Sequence, residues 1–129
     1  MAKTCITTAK DFELFKEECK RWVEYFGMLG WQVQFQHGSD EDEDNRAMCG
    51  VSNPISSRLS SMVLCKDWGE DEVSPEAVKM CGFHEVMELM LYRLALLALQ
   101  YGAPEDRVID ETHHIIRTLE NTIFQDVKP

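Results

Sequence analysis

The chain is poor in base: 13 lysines and arginines stand against 23 aspartates and glutamates, a formal net charge of -10 over 129 residues. That balance opposes binding to phosphate backbones or anionic membrane surfaces, so neither a nucleic acid nor a membrane is expected as a partner. No apolar run is long enough to span a bilayer, since the richest one, Val86 to Leu99, is interrupted by Glu88 and Arg93. The five cysteines (Cys5, Cys19, Cys49, Cys65, Cys81) form no C-x-x-C pair and are odd in number, which argues against both a disulfide framework and a cysteine zinc site. Free thiols in a reducing, cytoplasmic setting are the expectation, and Met1 to Cys5 lacks the apolar block of a secretory signal. Internal repeats and low-complexity linkers are also missing. One domain over residues 1–129, with its core at about 10–124, accounts for the length.

What is present reads as helix, three strands, helix, helix. Phe12, Phe15, Cys19, Trp22, Val23 and Phe26 recur at helical spacing, predicting a helix from about Asp11 to Phe26 that Gly27 and Gly30 end. Trp31 to Gln36 alternates apolar and polar residues and predicts a strand with one buried face. Five consecutive acids, Asp40 to Asp44, predict an exposed loop over 39–45; the glycine and spacing of a calcium-binding EF-hand are missing there. Two weaker strands follow, about Arg46 to Ser52 and Leu59 to Lys66, with a turn at Asn53-Pro54. Their Ser and Met content suggests edge strands or one wall of a cleft. Asp67 to Val73 reads as a polar connection. Ser74-Pro75-Glu76 is a helix start, predicting a long helix from Pro75 to about Gln100. Gly82 within it lets another backbone come close or permits a kink. Gly102-Ala103-Pro104 breaks the chain before a last helix, about Pro104 to Phe124, and a fraying tail, Gln125 to Pro129. The expected fold is α+β: an N-terminal helix, a small three-stranded antiparallel sheet and two C-terminal helices.

The residues that could do chemistry gather on those last two helices. His84 and Glu88 are one turn apart on one face, and Glu85 lies about 100° round the helix. His113 falls within the apolar stripe of the last helix, four residues after Ile109 and three before Ile116, and faces the preceding helix. Two imidazoles and a carboxylate make a zinc set with a fourth position left for water. Glu85 would then be the general base. The plainer account makes the glutamates solvated charges paired with Arg93 or Arg117, and His113 a hydrogen-bonded core histidine. Against it stand the apolar neighbours of Glu88: Val86, Met87, Leu89, Met90 and Leu91. Cys81, one turn before His84, offers a further reading as a thiol nucleophile.

His84-Glu85-Val86-Met87-Glu88 and Asp110-Glu111-Thr112-His113-His114-Ile115-Ile116-Arg117 resemble the two helical motifs of small zincin-like metallopeptidases, including those encoded by bacteriophages and prophages. The strand after Gly30 looks like the opening strand of that group. The resemblance implies a minimal zincin-like domain that hydrolyses protein or peptide substrates, working in the cytoplasm of a bacterial host. By the likeness His84 is a zinc ligand and Glu85 the catalytic base, with the third ligand drawn from Glu111, His113 or His114; the stripe favours His113. Glu88 stands where the family places its second histidine. Its added negative charge makes the bound water less acidic, or favours a harder metal such as manganese. The competing expectation is a catalytically inactive phage accessory protein acting through protein–protein contacts, by the acidic loop or by Met48 and Met62. A third is an oligomer packed through Leu89 to Leu99.

Overall fold

The computed structural model describes residues 4–28, 30–38, 49–52 and 59–126. The acidic loop, Met48 and the Asn53-Pro54 turn lie outside them. The first long helix, α1 (Ala9–Tyr25), starts two residues before the expected point. Thr8 and Asp11 form a reciprocal cap: Thr8 Oγ1 accepts from the Asp11 N–H at 3.2 Å, and the Thr8 N–H donates to Asp11 Oδ2 at 2.8 Å. The long helix α2 (Pro75–Gln100) has its expected bounds, with Ser74 Oγ accepting from the Ala77 N–H at 3.1 Å. Both helices end the same way. Gly27 and Gly102 turn to positive φ (66° and 90°), and the next residues, Met28 and Ala103, donate back to Val23 and Ala98. The expected last helix is split into α3 (Glu105–Asn121) and a single turn, α4 (Ile123–Asp126). The backbone departs from helix at Thr122 and swings Phe124 under the core.

The α+β class holds, but the three-stranded sheet is mixed and not antiparallel throughout as expected. Strands β2 (Gln32–Gly38), β3 (Cys49–Ser52) and β4 (Leu59–Cys65) lie in the order β2-β4-β3. β2 and β4 run parallel, from Gln32 opposite Leu59 to Gly38 opposite Cys65, while β3 and β4 are antiparallel. The alternation in β2 is as expected, Gln32, Gln34 and Gln36 being exposed and Val33, Phe35 and His37 partly buried. β4 is the correction: it is the central strand, neither an edge nor a cleft wall, and Met62 and Leu64 are fully buried. Met62 is therefore no contact surface. A second small sheet joins β1 (Cys5–Ile6) to β5 (Asp67–Gly69), where only a polar connection was expected. Burial of Trp68 supplies the reason. Thr7 ties this sheet to the other: its Oγ1 lies 2.7 Å from His37 Nε2 and donates to the Cys65 carbonyl.

The core forms where α1 crosses α2. Phe15, Cys19 and Trp22 of α1 meet Val78, Phe83 and Val86 of α2, with Trp22 stacked on Phe83 at 4.7 Å and Phe83 on Phe124 at 5.3 Å. Glu18 is buried there, its carboxylate accepting from Trp22 Nε1 at 2.7 Å and paired with Arg21 at 3.2 Å. Gly82 allows the close approach. A Cβ at that position would stand 3.2 Å from Glu18 Cβ and 3.4 Å from the Cys19 nitrogen. Gly82→Val is accordingly expected to lower the free energy of urea unfolding by about 2 kcal/mol. A variant as stable as the native chain would show that α1 and α2 do not meet at this point.

Candidate metal centre

α3 returns along α2 and sets two of its side chains against His84 and Glu88. His113 Nε2 lies 3.0 Å from Glu88 Oε1, and His84 Nε2 lies 3.4 Å from the same oxygen. On its other side His84 Nδ1 is 3.2 Å from Glu120 Oε2. Acid and imidazole thus alternate across the helix seam in the order Glu120, His84, Glu88, His113. The reading of His113 as facing α2 agrees with this placement. Glu111 and His114 are exposed on other sides of α3 and do not join the cluster. Arg93 and Arg117 are likewise not the partners of Glu88.

One donor each from His84, Glu88 and His113 fall within 4.8 Å of one another. Tetrahedral zinc with arms of about 2.1 Å keeps its donors about 3.4 Å apart. The two separations from Glu88, 3.0 and 3.4 Å, are close to that spacing, the third, between the imidazoles, is at most 4.8 Å, and the donor set, two imidazoles and a carboxylate, suits a borderline cation. Glu120 adds a second condition. With Nδ1–H directed at this carboxylate, the lone pair of His84 is left on Nε2, the atom that faces the cluster. Sequence reasoning missed Glu120, although it stands two helical turns beyond His113 and four residues after the fully buried Ile116. That spacing was the available signal.

Without a metal the cluster is a hydrogen-bonded network centred on His84 and its two carboxylates. The His84 pKa is pushed up to about 10, first by the hydrogen bond to Glu120 and then by that to Glu88, while burial opposes the rise. The same proton, with a smaller contribution from His113, holds the Glu88 carboxyl below its ordinary range.

Glu85 is placed differently from its two neighbours in the motif. It is only 3% exposed and lies three residues after Gly82, on the side of α2 that faces α1. Its charge acts on Cys19, whose thiol is pushed well up, mainly by burial and next by Glu85. It acts on His84 as well, yet it is not among the clustered donors. Cys81 is 5% exposed, which shields it from any substrate and removes the thiol-nucleophile reading. None of Cys5, Cys19, Cys65 and Cys81 is in a disulfide. From Glu88 and His113 a groove of about 390 Å³ runs between the helices toward Leu99 and Ile109. Comparison of the chain with protein-family models, with curated proteins and with solved structures finds no match. None of the described helices is long and apolar enough to cross a membrane.

The two shifts set a pH window for the metal-free protein. The His84 pKa rises on folding, so its contribution to stability is complete below about pH 6.5 and drains away as pH climbs toward 10. The Glu88 pKa falls on folding, so its contribution is present above about 4.5 and is lost in more acid solution. Urea unfolding in a chelator should show the stability gap between the native chain and His84→Gln widest between these limits and shrinking toward pH 10. A gap independent of pH would remove the ion-pair account.

Proposed function

We propose that the protein is a metal-dependent hydrolase of peptide bonds, with zinc held by His84, Glu88 and His113. The observation that carries this reading is that three donor atoms from two helices lie within 4.8 Å of one another, with Glu120 selecting the nitrogen His84 would present. When bound, zinc supplies a Lewis acid and a water acidified toward pH 7. The extra carboxylate in the set weakens that acidification and makes manganese the alternative ion. The chain's own residues do the rest. Glu120 orients His84, and the apolar groove running from Glu88 and His113 offers walls for a substrate side chain. Glu85 is the base by its place in the motif. To accept a proton it must turn from the α1 side of α2 toward His84, one residue away. β4 is hydrogen-bonded on both sides, so it offers no free edge to which an extended substrate could add.

The second reading is a metal-free interaction protein. It is favoured by the completeness of the Glu120–His84–Glu88–His113 chain, which satisfies itself without an ion. Zinc titration separates the two. On the first reading, protein purified without chelator binds about one zinc per chain. Binding near pH 8 releases about one proton, because His84 is protonated beforehand. His84→Ala abolishes the binding, and Glu120→Gln weakens it about 10- to 100-fold. Glu85→Gln keeps the metal and loses peptide hydrolysis. No zinc by elemental analysis, and no heat on titration with zinc or manganese, would leave the seam a purely structural ion-pair network.

A further inference from the structure

Along α2, Phe83, Met87, Met90, Leu94, Leu97 and Tyr101 follow one another at intervals of four, three, four, three and four residues. This is the spacing of a seam that another helix covers. The first two are fully buried in the core. The last four emerge beyond it, with Met90 36%, Leu94 64%, Leu97 49% and Tyr101 85% exposed. α3 leaves them largely open, because it packs against the neighbouring face of α2 marked by Leu91 and Ala95, which line both grooves between the helices; of the four, Leu94 stands at the rim of one of those grooves. The seam therefore continues past the point where the described elements of the chain end.

The charge pattern tells what fits there. In a chain with a net charge of -10, no aspartate or glutamate occurs from Leu89 to Ala103. Beside Leu94 the α3 residues Glu111 and Arg107 line the same groove with opposite charges, so two copies that repel elsewhere can approach along this stretch at little electrostatic cost. Arg93 is the one cation in it, so the basic face of a membrane-surface helix is missing. We propose that the exposed half of α2 is a two-fold interface between two copies of this chain, the helices antiparallel and crossing between Leu94 and Leu97. In that arrangement Leu94 of each copy faces Leu97 of the other, and Met90 faces Tyr101. This proposal stands apart from the metal reading and holds whether or not zinc binds.

Sedimentation over a dilution series, in chelator, tests it. The native chain should pass from twice the chain mass to the single mass on dilution. Leu94→Glu and Leu97→Lys, both at exposed positions, should keep the native circular dichroism and each weaken association by about 100-fold, since a charge is then buried against leucine. Mixing the two variants should restore the dimer, because the introduced glutamate meets the introduced lysine across the two-fold. A native chain that remains single at every concentration overturns the proposal, whether or not it floats with anionic vesicles. So do variants that stay dimeric. A mixture that fails to re-associate overturns the antiparallel crossing.

Discussion

The close approach of α1 and α2 at Gly82 governs the molecule. With no side chain at that position, Glu18 and Cys19 lie directly on the α2 backbone. This contact fixes the rotation of α2 about its own axis. Once it is fixed, every other face of the helix has one direction. Gly82 and Glu85 turn to α1, Phe83 and Met87 enter the core, and His84 and Glu88 are presented to α3. The cluster depends on a glycine that carries no chemistry. A helix rotated by a single residue would send His84 into the aromatic stack of Trp22 and Phe124, and would move Glu85 toward His113.

The helices were legible in the sequence because their signals are local. Ser74-Pro75 sets the start of α2, and Gly27 and Gly102 mark two ends through conformations that other residues adopt only with strain. The helical stripe containing His113 was also readable, since a period of 3.6 residues tells which side chains face the same way. The sheet was not. Ser60, Ser61 and Met62 look weak as strand residues, yet β4 is central, because strand order is set by pairing partners remote in the chain and not by the strand's own composition. The small β1–β5 sheet was missed for the same reason: Cys5-Ile6 is too short to show a period.

Within the candidate site the legible part was the motif and the illegible part was its orientation. His84, Glu88 and His113 were placed together from spacing alone. Glu85 lies between His84 and Glu88 in sequence, but spacing cannot say that the α1 side of the helix is closed by packing. Glu120 shows the converse. Its residue type is the commonest of surface groups, and only the approach of α3 to α2 gives it a partner in His84. A carboxylate on the far nitrogen of an imidazole serves two ends, holding a proton when no cation is near and polarising the ring toward a cation when one arrives.

The order of strands has a consequence for synthesis. Of the three strands in its sheet β2 leaves the ribosome first, yet among the described strands it is hydrogen-bonded to β4 alone, which lies between it and β3. Until residue 65 has emerged, the seven residues of β2 have no edge to add to, and their half-apolar face has only α1 for cover. The parallel pair cannot form before β4 has been made, and α2, which follows β4 in the chain, reaches α1 later still. For a nascent chain, the vulnerable interval is the time between translating Gln32 and completing α2.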